Sequence, residues 1–584
     1  MKLELLPDEI LLDLFDYFNG VDLLREFYGL NSHFNFLLYN QFRNYRFKFE
    51  AVSKHNFDMI CQQHLPFIAN RIIAVSLTGD DDTPEQINLF LSYIKSFNEF
   101  IQLRTLSLYY VRSYETLMKI LNQCHHLCYL THLNISDCYF RANQVDFQLL
   151  INSIWSLPKL IHCNFAIETE EQKLFFTPTK ISLSLQSISV GINELKLNQI
   201  NQLFKSTPRL KQFYVSLDPS SYGDYKPYIL STLIHLKISM FNVVESLIIK
   251  MFQSTPNLCR LSVDLLFKLI DGHRWEQIIR NYLPKLRVFR LKMQQTRIFN
   301  QNMEEHANEL LKSFQNSFWI DEHQWFVRCL IQTNTIVFYT LSKPFHYCED
   351  ELPRSLISTL PHDDHQDFYN NITNINNGTF FDQSILPHIR LTNINYLCIK
   401  LSINDQFWSV VPTLNRLRSL AVSSHVDTCH SQLQNLLDRA PNLHHLCIHH
   451  DTTVPIQMSL FRYTNTPVRQ LNLTDYNRYF NEEECIKLSH SPLGIQCEVL
   501  SIMVTNRESI IYLIKNMMNL RSLQIQCEDE KNCEDLVEIE KNDESCDEKL
   551  ENKDELIEWL KDRLSVTCLI KRNTDWTNCI LIWI

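Results

Sequence analysis

A six-residue pattern, apolar-x-x-apolar-x-apolar, recurs along most of this chain and leaves few folds open to it. Clear copies begin at Leu103, Leu130, Leu210, Leu233, Leu258, Leu286, Ile394, Leu417, Leu443, Val468, Cys497 and Leu520, and weaker ones at Ile72, Leu160 and Leu185. Starts lie 23 to 31 residues apart within two runs, Ile72 to Leu286 and Ile394 to Leu520. The alternating end of each copy suits a short strand with two inward residues, and the interval has room for one helix. Segments 114–123, 244–253, 275–283, 431–439 and 507–516 carry apolar residues at helical spacing. Five prolines stand two residues before a motif's first apolar residue, in the pairs Pro158/Leu160, Pro208/Leu210, Pro256/Leu258, Pro284/Leu286 and Pro441/Leu443. Proline disfavours helix in the residue before it, so it cuts each helix at the same place. Such a unit cannot bury both faces alone; stacked neighbours must cover them.

The period and the strand–turn–helix unit resemble a leucine-rich-repeat array. The Asn or Cys usual after the last strand leucine in that family is matched well only by Cys138, so the array is expected to be irregular. Between the two runs, residues 303–316 look helical, and two aromatic-rich alternating stretches at 318–331 and 335–345 suggest an inserted hairpin or a distorted repeat pair. Residues 348–390 are polar and read as a loop. A helix and two strands at 555–584 are expected to cap the last repeat's open edge.

Composition removes several function classes. The chain has 584 residues and only 8 glycines, with no GxxxxGK[ST] or GxGxxG, so a nucleotide-cradling loop is not expected. Net charge is -11. Residues 528–558 hold 15 acids and 4 lysines, which is the whole of that charge; an acidic loop at 528–554 follows, and nucleic acid is not an expected partner. The 18 cysteines are scattered singly, no secretory leader pattern opens the sequence, and no apolar run is long enough to span a bilayer. Reduced, buried thiols in the cytoplasm or nucleus, with no membrane partner, are the expectation.

Residues 3–40 carry a second signature. Pro7, Asp8 and Glu9 suit a helix start, and Ile10, Leu11, Leu14, Phe15 and Phe18 line one face of that helix before Asn19-Gly20 stops it. A second cluster follows at Leu23, Leu24, Phe27 and Leu30, with Gly29 expected to weaken its helix by up to about 1 kcal/mol. Asn31-Ser32 caps a third helix at Phe34, Leu37 and Leu38. Leu6, Pro7, Glu9, Ile10, Leu14, Phe15, Asp22, Leu23, Leu24, Leu30, Asn31 and Phe34 resemble the F-box pattern.

Together the two resemblances imply an α/β chain: a three-helix F-box at 1–48, repeats at 49–300, an insert at 301–390, repeats at 391–527, the acidic loop, and a cap at 555–584, in an irregular horseshoe solenoid. They imply the substrate-recognition subunit of an SCF-type ubiquitin ligase, docking on a Skp-type adaptor and through it a cullin–RING complex. Leu6, Pro7, Ile10, Leu14, Leu23 and Leu24 would dock or hold the docking helices together. By strand parity, Tyr109, Tyr214, Arg260, Arg290, Lys292, His445 and His449 face the concave side and are candidates for contact with an unknown protein substrate.

No Ser-His-Asp or Cys-His arrangement has a local signature, so no enzyme activity and no cofactor is expected. His362-Asp363-Asp364-His365 reads as a solvated loop, Cys124-His125-His126 with Cys128 as a helix terminus, and the alternating trio His445, Cys447 and His449 as a surface lacking a fourth metal ligand. The alternatives are a leucine-rich-repeat scaffold unconnected to ubiquitin, with a merely helical cap, and a metal-dependent enzyme.

Overall fold

The structure, a computed structural model, describes residues 3–584 except 140–143, 169–176, 219–226, 297–302, 342–346, 350–351, 383–384, 386–387, 405, 426–429, 451–457, 477, 531–554, 574–575 and 577. The acidic stretch of the sequence lies almost wholly outside the described residues.

Strands β1 (Tyr45–Lys48), β2 (Ile72–Thr78), β3 (Thr105–Tyr109), β4 (His132–Tyr139), β5 (His162–Glu168), β6 (Ser187–Leu195), β7 (Gln212–Leu217), β8 (His235–Phe241), β9 (Arg260–Leu266) and β10 (Val288–Thr296) pair parallel in chain order. The sheet then turns antiparallel through β12 (Thr335–Thr340), β11 (Val327–Ile331) and β14 (Ser355–Ser358). A second sheet begins with β13 (Tyr347–Glu349) and β15 (Ile372–Ile375). It runs parallel through β16 (Tyr396–Lys400), β17 (Ser419–His425), β18 (His445–His450), β19 (Gln470–Asn472), β20 (Val499–Val504) and β21 (Ser522–Cys527). It ends antiparallel in β23 (Ile580–Trp583) and β22 (Leu569–Arg572). This is an α/β solenoid of mostly parallel strands, of the kind a leucine-rich-repeat array forms.

The motif positions the strands. From β3 to β10 and from β16 to β21, each strand starts two residues after its motif's first apolar residue. That first residue is buried, and the strands alternate buried and half-buried positions, as in β3, β5, β7 and β9. The prolines do more than end helices. Leu210, Leu258, Leu286 and Leu443 each donate a backbone N–H to the carbonyl three residues back, at 3.1, 3.2, 3.0 and 3.2 Å. Each proline is thus the second residue of a β-turn, where its fixed φ is favoured, and the turn delivers the chain into the next strand.

The stretch expected as a loop at 348–390 contributes β14, β15 and a short helix, Gln366–Asn370. Its apolar residues are sparse but placed: Phe368, Tyr369, Ile372 and Ile375 are buried in the second core. Asp363 accepts from the buried Arg328 of β11, Nε to Oδ2 at 3.1 Å and Nη2 to Oδ1 and to Oδ2 at 2.7 Å each, and Asp367 accepts from Nη2 at 2.8 Å. Asp363 therefore holds the seam between the two sheets rather than standing in solvent, whereas His362 and Asp364 of the same run are exposed, as a solvated loop would have them.

The head comprises α1 (Asp8–Phe15), α2 (Gly20–Phe27) and α3 (Ser32–Phe36). Gly20 opens α2 against β1: a Cβ there would lie 2.7 Å from the Phe47 ring. Gly29 weakens no helix. It follows the end of α2 at φ +82°, the left-handed conformation glycine adopts without strain, and so terminates the helix. The Asn19 amide pairs with both backbone groups of Lys48, at 2.9 and 2.8 Å, and so covers part of the free edge of β1. Ring contacts at 4.8–5.8 Å run from Phe15 through Phe42, Tyr45, Phe47, Phe49 and Phe57 to Trp583.

That last contact closes the array. Trp583 is fully buried, and its indole N–H donates to the Val52 carbonyl at 2.9 Å. The Lys54 N–H donates to the Ile584 carbonyl at 2.7 Å, Lys571 pairs with Glu85, and Asn573 donates to Asp81 at 3.1 Å. The first and last units touch, so the open ends of a horseshoe are absent. At this junction Gln524 donates to Asp82 at 3.3 Å. Burial, reinforced by the carboxylates of Asp80 and Asp81, lifts Asp82 from 3.8 to about 6 against the pull of Arg521.

A carboxyl raised on folding contributes stability that is full below its unfolded pKa and is lost as pH rises through its folded one. At about 1.4 kcal/mol per unit the loss reaches roughly 3 kcal/mol. Asp82→Asn, which keeps an acceptor for Gln524, is expected to resist urea better than the native chain above about pH 6, with the gap closing near pH 4. A gap independent of pH would contradict this environment.

Candidate functional site

Parallel register decides which inner-face residues meet. One row across the first sheet reads Ser189, Tyr214, Lys237, Ser262 and Arg290. The next row inward along the strands reads Ser216, Ser239, Asp264, Lys292 and Tyr339. These rows line an open cavity of about 830 Å³, joined by His235 from the row before. Tyr214, Arg290 and Lys292 of the sequence candidates come together here. Arg260 pairs with His235 and Val288 one row out and is exposed. Tyr109 stands elsewhere on β3, its hydroxyl accepting from Asn134 at 2.9 Å, and His445 and His449 belong to the second sheet. The seven candidates therefore occupy different places on the inner face. His235, Lys237, Asp264 and Tyr339 were missed. Strand parity would have found the first three, since each alternates with the core-facing residues of its strand; Tyr339 needed the hairpin's pairing.

The cavity is electropositive. Lys237, Arg290 and Lys292 face one carboxylate, Asp264, whose Oδ2 is 3.8 Å from Lys292 Nζ. Burial pushes Asp264 up, with Lys292 and Lys237 opposing. Asp264 Oδ1 and Arg290 Nε are buried without a hydrogen-bond partner. The His235 imidazole lies 3.2 Å from the Tyr214 hydroxyl, and burial pushes its pKa down, reinforced by Arg260, Arg290 and Lys237. Fixed cations around a histidine held toward its neutral form suit recognition of acidic groups.

On the head, Pro7 and Ile10 are exposed and Leu6 and Leu14 half-buried, whereas Leu23 and Leu24 are buried among the helices. These last two cannot touch a partner; they hold α2 in place. Leu5, Leu30 and Phe36 are also exposed, at 78%, 58% and 49%. Asn31 donates to Glu4 at 2.9 Å, and His33 Nε2 lies 2.8 Å from Asp8, so the Leu30 turn sits against the start of α1. Leu5, Pro7, Ile10 and Leu30 are thus exposed near one another's segments, around the start of α1.

On the second sheet, His445 is half-buried, with Nδ1 2.8 Å from the Ser419 hydroxyl, and burial pushes its pKa down. Cys447, His449 and Asp475 converge; Asp475 was not foreseen because it comes from the next repeat. The helix Tyr114–Cys124 ends at the group expected to be a helix terminus, with Cys124 buried and Cys128 exposed. The described cysteines are all free. Among the described residues no helix is long and apolar enough to cross a membrane.

No family model matches the chain, and no curated protein matches it significantly. Among solved structures it is similar to one described as a crystal structure of a TLR13–ssRNA13 complex, at 11% identity and a TM-score of 0.24. That match spans 74% of this chain and 64% of the other, and a likeness so slight carries no argument about fold or function.

Replacing Arg290 by Met should raise the His235 pKa toward the usual imidazole range by removing a nearby positive charge. An NMR titration of the histidine ring protons reads this directly. An unmoved His235 would show that the cavity's cations do not act on it.

Proposed function

We propose that the chain is a substrate-recognition subunit of an SCF-type ubiquitin ligase: the helical head docks on a Skp-type adaptor and the repeat array holds the protein to be ubiquitinated. The reading rests on the resemblance of residues 6–34 to the F-box. The observation that carries it is the exposure of Leu5, Pro7, Ile10 and Leu30 around the start of α1, on a head whose Leu11, Phe15, Leu23, Leu24, Phe27 and Phe34 are buried. Exposed large apolar residues gathered at one end of a chain suit contact with another protein. Leu23 and Leu24, fully within the head, hold α2 in place.

In this reading the chain supplies proximity rather than chemistry. It holds a lysine-bearing substrate near a charged ubiquitin conjugate, which turns a bimolecular encounter into a local one. The aromatic series from Phe15 to Phe57 ties the head to the first repeat, so the adaptor and the substrate would be held at a fixed separation. The electropositive cavity of the inner face favours an acidic surface on that substrate.

Ile10 is 50% exposed, so Ile10→Asp alters the surface without disturbing the core. It is expected to weaken co-purification with a Skp-type adaptor by at least about tenfold, because a carboxylate must then be desolvated in an apolar contact. Far-UV circular dichroism and thermal midpoint should stay unchanged. Undiminished co-purification would remove the docking assignment.

A further inference from the structure

The repeat is broken at one place on the inner face, and the break assembles a set of metal donors. β19 is only three residues long, and the chain leaves it in a turn at Thr474–Tyr476. Asn472 holds that turn: its Oδ1 accepts from the Thr474 N–H at 3.0 Å and from the Thr474 hydroxyl at 2.7 Å. Asn472 is also the register partner of Cys447 on β18. The turn therefore brings Asp475 back over the neighbouring strand, beside Cys447 and His449.

Cys447 Sγ lies 3.3 Å from Asp475 Oδ2 and 3.6 Å from His449 Nε2, and His449 Nδ1 lies 3.6 Å from the same Asp475 oxygen. One donor atom from each residue lies within 4.8 Å of the other two. The two histidine contacts are made by different ring nitrogens, so a metal would be held by Cys447 Sγ, Asp475 Oδ2 and one nitrogen of the imidazole. Tetrahedral zinc, with bonds of about 2.3 Å to sulfur and about 2.0–2.2 Å to nitrogen or oxygen, leaves its ligand atoms roughly 3.3–3.7 Å apart.

We propose that Cys447, His449 and Asp475 bind a zinc ion on the inner face of the second sheet. Thiolate and imidazole with one carboxylate select zinc over magnesium or calcium. Cys447 is buried, whereas the His449 and Asp475 side chains are 39% and 46% exposed, which leaves an entry path and a fourth position for water or for a donor on a bound partner. Binding exchanges one proton for the metal: the S–H bond breaks, the S–Zn bond forms, H⁺ passes to solvent, and no electron moves. The proposal stands independently of the ubiquitin reading.

Cobalt(II) tests it, because only a thiolate ligand gives an intense sulfur-to-cobalt charge-transfer absorption. Full-length protein stripped with a chelator and titrated with cobalt is expected to develop that absorption and saturate at one equivalent, and zinc should then bleach it. Cys447→Ser should abolish the absorption. Asp475→Asn, at an exposed position, should weaken cobalt binding by more than the roughly 10–100-fold typical of losing even an outer-shell partner. No absorption in the native chain, or an absorption unaffected by either variant, would overturn the proposal.

Discussion

A strand in a repeat has two edges, and the physical demand that both be covered shapes this molecule. Each unit hides its leucines only when a neighbour stacks on either side. Within the two sheets the parallel register satisfies that demand. Between them it is met by other means. At the middle seam a buried guanidinium, Arg328, is held by the carboxylates of Asp363 and Asp367. At the ends, antiparallel strands turn the last repeat back on itself and Trp583 enters the core of the first. Truncating a buried tryptophan typically costs about 3–5 kcal/mol, so this one contact is a large share of what marginal stability allows.

The parts of this fold that are local in sequence were legible in it. The motif at Leu210 or Leu443 marks where a strand begins because alternation is a property of five neighbouring residues, and Pro208 or Pro441 marks the turn before it. The three helices of the head follow from spacing alone, although Gly29 proved to be a stop rather than a weak point. What was not legible depends on partners far away in the chain. Nothing near Trp583 announces Val52, and nothing near Asp363 announces Arg328. β14 and β15 hide in a polar stretch because their pairing partners, rather than their own composition, make them strands.

The candidate site divides in the same way. Strand parity was enough to place Tyr214, Arg290 and Lys292 on the inner face. It could not say that they share a cavity with Lys237 and Asp264 while Tyr109 and His449 stand apart, since that follows from register across several repeats. Asp475 reaches Cys447 only because β19 stops short, an irregularity the motif at Val468 does not predict. On the head, Leu23 and Leu24 match the family pattern yet are buried, so a matched position can serve the shape of a surface without belonging to it. The proposed division of labour, exposed apolar residues on the head and a charged inner face on the body, needs the two held in fixed relation, and that is what closure of the array gives.

Closure is the claim on which the rest depends, and amide hydrogen exchange on a chain truncated after Cys579 tests it most directly. Losing β23 removes Trp583 and the Lys54–Ile584 bond, so the account predicts faster exchange in β1, β2 and residues 49–60, more than 500 residues away in sequence, as well as in β21. Faster exchange confined to β21 and β22, with the first repeat unchanged, would mean that the ends do not meet.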